Sequence, residues 1–331
     1  MPSRLSRRHA VSLSLASATT LALGRSPVLA AQPSFEQWLD GVRAEAQRRG
    51  VSPATLDQAL AGLELDPSVI ELDRRQPEGR ISFATYRSRV LSSQRVETGK
   101  AKLRAHRTDL ERVAARYGVP PRIIVALWGI ETSYGGFTGG KHVIRSLASL
   151  AYDGRRAEFF HDELMHALSV LDTGVVAHPN MKGSWAGAMG QSQFMPSTYR
   201  RYAVDADGDG KADIWQSLPD IFASMANYLR EAGWDGDYIW GRQVRLPAGF
   251  APQLADLDTR LPLSRWADLG VRRADGGPLP VAPIDASVIA PDGLSGPAYI
   301  IYDNFRVLMI WNRSSYFALT VGELSDRIRW G

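Results

Sequence analysis

The sequence predicts a mainly α-helical (α+β) protein. A helical body covers about residues 34–240, and a small strand-containing subdomain over about 241–331 packs back on the body's cleft. Three observations lead there. Apolar residues recur at spacings of three and four through most of the first two-thirds of the chain, the repeat of one helix face. After Trp234 the composition shifts to Pro, Gly and Asp, and short apolar runs at 298–302 and 306–311 read as strands. Asp205-Ala-Asp207-Gly-Asp209-Gly210-Lys211 is neither, and has the spacing of an EF-hand-like loop.

Taken in order, residues 1–30 are set aside before any fold argument. They hold Arg4, Arg7, Arg8 and Arg25 with no acidic residue, a mildly apolar stretch over 10–23, and small residues around Val28-Leu29-Ala30. That is a secretory signal, cleaved after Ala30. The pair Arg7-Arg8 after Ser6 fits a twin-arginine signal, and an ordinary secretory signal with an incidental pair fits equally. Either route leads out of the cytoplasm. Residues 34–61 are helical, with Phe35, Trp38, Leu39 and Val42 on one face, and Ser52-Pro53 starts a second helix within them. The charged stretch 87–117 reads as helix and stops at Gly118. Pro120-Pro121 restarts a helix that runs to Glu131, and helical patterns return at 142–152, 155–171 and 217–232. Residues 179–196, rich in Gly, Ser, Met and Gln, read as a shaped loop.

Composition then narrows the function classes. The formal charge of +4 equals the four arginines of the signal, so the remainder is near neutral and gives no reason to expect nucleic acid as a partner. No remaining run is long and apolar enough to cross a bilayer, which takes about 20 residues. The chain has no cysteine, which excludes a thiol nucleophile, a disulfide framework and a Cys-ligated metal. The expectation is an exported periplasmic monomer with a core large enough to need no covalent staple.

Glu131 is the residue placed to do chemistry. It follows Leu127 by four and Trp128 by three, so it lies on the apolar stripe that also includes Ile124. A carboxyl on a core-facing stripe is costly as an anion, and burial raises its pKa towards the range of a general acid at neutral pH. Ser133-Tyr134-Gly135-Gly136 breaks the helix and leaves Glu131 at the edge of a cleft. A buried ion pair with an Arg or Lys from elsewhere would account for the same position.

Three separated strings change the balance. Gly129-Ile130-Glu131-Thr132-Ser133-Tyr134-Gly135, the run from Lys182 through Gly183-Ser184-Trp185 to Gln191-Ser192-Gln193-Phe194-Met195-Pro196, and Ala226-Asn227-Tyr228-Leu229 before Gly233-Trp234 resemble, in that order, segments of the lytic murein transglycosylase B family. The resemblance extends from about Phe35 to the C-terminus. It implies a lysozyme-like helical fold and an enzyme that acts on peptidoglycan glycan strands through one glutamate, Glu131. Such an enzyme cleaves the bond between N-acetylmuramic acid and N-acetylglucosamine and leaves a 1,6-anhydro product, with no cofactor for the chemistry. Other carboxylates, including Asp153, Glu158 and Asp162, leave a two-carboxylate hydrolase open on residue count alone. A cleft that binds murein without cutting it would be marked by loss of the acid, and Glu131 is present. The 179–196 loop offers Ser184, Gln193 and Phe194 as hydroxyl, amide and aromatic contacts for a sugar. The resemblance further implies that Ser184 and Gln193 meet substrate near Glu131 and that Tyr228 and Tyr86 line the cleft. It also implies that Arg155 and Arg156 meet anionic parts of the murein, and that Asn304 and Tyr316 border the site. The family segment carries Tyr where this chain has Trp311, which removes a phenolic hydroxyl there. A solvated arginine face, and core aromatics on strands at Trp311 and Tyr316, are the plainer alternatives.

The loop at 205 supplies carboxylates at positions 1, 3 and 5 (Asp205, Asp207, Asp209), glycine at 6 and the Lys211 carbonyl at 7. Three carboxylates this close repel unless a cation compensates them, so the expectation is a structural calcium ion. Position 12 is Gln216 instead of a bidentate acid, and Asp220 is the candidate replacement. An Asp/Gly-rich surface turn would look the same.

Overall fold

The computed structural model describes residues 33–75 and 81–329, so the signal expected over residues 1–30 lies outside the described residues. Short polar side chains start most of the N-terminal helices. Ser34 and Gln37 form a reciprocal capping box on α1 (Phe35–Arg48). Ser52 caps α2 (Pro53–Leu60), and Asp66 caps α3 (Pro67–Arg74). Ser82 and Ser92 cap α4 (Phe83–Val90) and α5 (Ser93–Ala105), and α6 (Arg107–Tyr117) ends at Gly118 in the left-handed region. Each such cap stabilises its helix by about 1 kcal/mol. The stretch expected as one helix over 87–117 is therefore three pieces. The Ser92 hydroxyl accepts from Arg95 N and turns the chain out of α4, and a second turn falls at His106.

Helix α7 (Pro121–Thr132) is the centre of the body, with every residue from Ile123 to Gly129 buried. It is apolar all round and not on one stripe alone, as befits a helix enclosed by neighbours. Strand β1 (Lys141–His142), α8 (Val143–Asp153) and α9 (Ala157–Asp172) follow, and β2 (Lys182–Gly183) pairs back on β1. Helices α10 (Pro196–Tyr202) and α11 (Leu218–Glu231) complete the first part of the body.

The chain then builds a five-stranded antiparallel sheet from β3 (Gly241–Arg245), β4 (Leu261–Pro262), β5 (Arg272–Arg273), β6 (Asp285–Ile289) and β7 (Ala298–Ile301). Helix α12 (Leu263–Asp268) follows β4, and the strand order is β4-β6-β7-β3-β5. The sheet has its own apolar cluster, including Val244, Trp266, Val288 and Ile300. The run at 298–302 is a strand as expected. The run at 306–311 is not: it belongs to α13 (Asp303–Trp311), followed by α14 (Ser315–Ile328) under a Ser314 cap. A six-residue apolar run carries too little periodicity to separate the two states, and here Phe305 and Leu308 bury one helical face. Both helices leave the sheet and join the core of the body, α14 packing on α7, α5 and α4. Among the described residues there are fourteen α-helices, and none is long and apolar enough to cross a membrane.

Candidate active site

Glu131 sits at the last turn of α7, where the chain reverses through two left-handed non-glycine residues, Ser133 (φ 51°) and Tyr134 (φ 62°). Such conformations are costly and persist only where the surroundings hold them. Here Tyr134 N donates to Trp128 O, and the Tyr134 hydroxyl donates to Arg95 O at 2.7 Å. The ring lies so close to Gly129 that a Cβ there would stand 2.6 Å from it, so only glycine admits this turn.

The turn delivers Glu131 to a cleft of about 500 Å³, lined by Leu72, Glu131, Phe137, Gly139, Gly140, Lys141, Gly183, Ser184, Trp185 and Gln193. The antiparallel pair β1–β2 forms one wall. Ser184 Oγ accepts from Ala188 N at 3.0 Å, which leaves its proton free for a ligand in the cleft. Gln193, another left-handed residue (φ 52°), anchors its amide Nε2 on Thr138 O and Gly190 O. Lys141 is engaged by Asp66 at 2.9 Å. Burial pushes the Glu131 carboxyl up to about 7. The opposing effect is one hydrogen bond: Trp311 Nε1–H donates to Glu131 Oε1 at 2.6 Å. The Trp311 position therefore keeps a donor even without a phenol.

The other expected site residues fall into three groups. Tyr228 and Phe194 stand behind Trp311, with ring centroids 4.8 and 5.4 Å from it, and Phe194 is buried. Tyr86 and Tyr316 pack on each other at 5.8 Å, on helices and not strands. Burial raises the Tyr86 phenol, and the nearby Glu131 charge adds to this. Helix α4, which carries Tyr86, is gripped from two sides. Asp292 accepts from Phe83 N and Ala84 N at 2.6 and 2.8 Å. Glu323 of α14 takes Arg87 Nε at 2.7 Å and the Tyr299 hydroxyl at 2.5 Å.

The third group is engaged elsewhere. Arg155 and Arg156 both close on the buried Asp73 of α3, the residue beside cleft-lining Leu72, so they hold a cleft wall in place. Asn304 is buried, its amide donating to Asp235 O and Tyr238 O and accepting from Asp235 N, with no atom left for a sugar. Asp153 and Asp162 pair with Arg74 and Arg49. Leu72, Phe137 and Lys141 escaped the sequence reading. The Gly139-Gly140 pair was the available signal for Lys141, and Leu72 reaches the cleft only through packing.

In the acidic loop, ligand atoms of Asp205, Asp207 and Asp209 all lie within 4.8 Å of one another, a donor set that fits a hard, oxygen-seeking cation. Asp220 has a different place from the one expected. It is fully buried and takes Ala206 N, Asp207 N and Asp213 N, tying the loop to the start of α11 from beneath. Asp213, at position 9 of the same loop count, was missed by the sequence reading; its carboxylate accepts from Trp215 N and Gln216 N.

An acid with a raised pKa at the end of a buried helix, with no second carboxylate among the described residues that line its cleft, has the arrangement of the general acid of a glycan-cleaving enzyme. The family model described as "Transglycosylase SLT domain" matches residues 34–326. Membrane-bound lytic murein transglycosylase B of Escherichia coli K12 is 31% identical over 313 residues, covering 89% of this chain and 82% of that protein. SltB3 of Pseudomonas aeruginosa, solved in complex with NAG-anhNAM-pentapeptide, superposes with a TM-score of 0.87 at 49% identity, covering 90% of this chain and 80% of that one. The Escherichia coli lytic transglycosylase Slt35 in complex with calcium superposes with a TM-score of 0.76 at 30% identity, covering 90% and 93%. The chain belongs to the lytic transglycosylase B family, has its lysozyme-like fold, and is a peptidoglycan lytic transglycosylase.

Proposed function

We propose that this enzyme cleaves the β-1,4 bond between N-acetylmuramic acid and N-acetylglucosamine with Glu131 as sole acid and base. The protonated carboxyl gives its proton to the glycosidic oxygen as the C1–O bond breaks, and the muramyl acetamido oxygen closes on C1. The carboxylate then takes the C6 hydroxyl proton as O6 displaces the acetamido oxygen, forming the 1,6-anhydro ring and restoring the acid. No water is consumed. The observation that carries this reading is that Glu131 is the one carboxylate among the described residues lining the cleft, so no second acid is at hand to act as nucleophile or to activate water. Ser184 and Gln193 orient the sugar beside it, and the anhNAM fragment bound by SltB3 is a product of the expected type. Mass spectrometry of muropeptides released from purified sacculi tests this. Products one water lighter than hydrolytic ones are expected, and free reducing ends would make the enzyme a hydrolase.

Asp205, Asp207, Asp209 and the Lys211 carbonyl would hold calcium, whose role is to fix the loop before α11 and not to take part in the chemistry. Slt35, crystallised with calcium, supports this choice of ion. Calcium at about 100 times its dissociation constant should stabilise the fold by about 3 kcal/mol, and chelation should reverse the gain. A thermal melt of native protein and of D207N checks this: the calcium-dependent shift is expected in the first and not in the second. The secretory-type sequence over residues 1–30 supports a place in the periplasm. The near-neutral charge of the rest of the chain supports glycan strands and not nucleic acid as the partner of this enzyme, which we take to act as a monomer.

A further inference from the structure

The contact between Trp311 and Glu131 has a direction. An indole nitrogen donates and never accepts. Its bond to Oε1 at 2.6 Å is the one hydrogen bond that reaches this carboxyl among the described residues. The indole itself is held: Tyr228 meets it edge-on at 4.8 Å, Phe194 packs at 5.4 Å, and the Tyr228 hydroxyl donates to Ile310 O at 3.1 Å, the residue before Trp311. The lone pair of Oε1 that faces the indole N–H is therefore occupied in both protonation states.

We propose that Trp311 is a positioning residue for the lytic reaction, pinning Oε1 as a permanent acceptor and leaving Oε2 as the oxygen that gives up and takes back the proton. This rests on Glu131 being the acid and base. In the first half-reaction the Oε2 proton passes to the glycosidic oxygen, and the Trp311 bond strengthens as the carboxylate forms. In the second, Oε2 recovers a proton from the C6 hydroxyl. Both transfers then occur on the same face of one carboxyl with no rotation between them. A tyrosine at this position could turn its hydroxyl and accept from a proton on Oε1, so the indole specifies the proton's place more strictly. The other titratable groups that face Glu131 are Tyr86 of α4, which feels its charge, and Lys141 of β1, which lines the same cleft but is bound to Asp66.

The test compares pH profiles of kcat and KM on sacculi for wild type, W311F and W311Y, with E131Q as reference. W311F should lower kcat by about 10- to 100-fold, the worth of a hydrogen bond to a charged group, with KM within about twofold. Its alkaline limb should move up in pH, because the anion has lost its donor, and W311Y should recover part of kcat. An alkaline limb that stays where it is in W311F would reduce Trp311 to packing and overturn the proposal. A second readout needs no change at position 311. The Trp311 indole N–H resonance should titrate near pH 7 in the wild type, the range to which burial lifts Glu131, and lose that step in E131Q. A resonance flat with pH in the wild type overturns the inference. Full activity in E131Q would instead overturn the acid assignment beneath it.

Discussion

Glu131→Gln should reduce muropeptide release at least about a thousandfold, because the proposed mechanism asks one group for both proton transfers and each is worth about 10²- to 10⁴-fold. Quantifying products from sacculi checks the loss. A second consequence has the opposite sign. Burial lifts the Glu131 pKa from an ordinary 4.5 to about 7, so the folded protein holds this proton more tightly than the unfolded chain does. Stability from that proton is fully present below the unfolded value and is lost as pH rises through about 7. The amide variant is never ionised and escapes that loss. E131Q should therefore gain about 3 kcal/mol on the wild type between pH 4 and pH 8. Denaturant melts at the two pH values measure the difference; an equal gap at both would mean that the carboxylate is solvated. If Glu131 is the acid, the same pKa should set the alkaline limb of the wild type, with activity falling as pH rises through about 7.

Gly139→Ala should be the most damaging small substitution in the cleft wall. Gly139 has φ +97°, and a Cβ there would stand 2.0 Å from Gly183 O and 2.7 Å from Ser184 N. All of these neighbours are backbone, so no side chain can swing aside. Left-handed strain of about 1–2 kcal/mol adds to an overpacking cost of about 1–3 kcal/mol. A total near 3 kcal/mol lowers the melting midpoint by about 5–10 °C in a protein of this size. The relief available is to push β2 away from the 133–140 turn, which moves Ser184 from Glu131. Activity should fall even at temperatures where the variant stays folded. Calorimetry together with turnover at 20 °C below the midpoint checks this, and a variant with normal turnover there would show that the wall can yield without moving Ser184.

The helical body was legible in the sequence because helix signals are local. Ser34, Ser52 and Gly118 each act within a turn of the chain, and the helix ending at Glu131 announced itself through Pro120-Pro121 and its apolar run. The break at Ser92 was missed because serine inside a charged helical stretch is ambiguous until its hydroxyl is seen to accept from Arg95 N. The run at 306–311 is helix and not the expected strand, because an apolar run this short does not reveal its period. The motif residues Ser184 and Gln193 do line the cleft with Glu131, whereas Asn304, Arg155 and Arg156 make their bonds to the protein itself.

By itself the sequence put Glu131 at the end of an apolar helix and marked the segment of Ser184 and Gln193 and the acidic loop, because identity and short-range spacing are written in order along the chain. Only the tertiary structure decided what that acid meets. Trp311 reaches Glu131 across 180 residues, and Asp292 and Glu323 reach back more than 200 to hold the helix of Tyr86. Asp220, a plausible ligand by spacing, is turned inward to hold the loop's backbone. Burial, hydrogen-bond direction and the pKa that follows are properties of surroundings assembled from distant segments, and no local pattern encodes them.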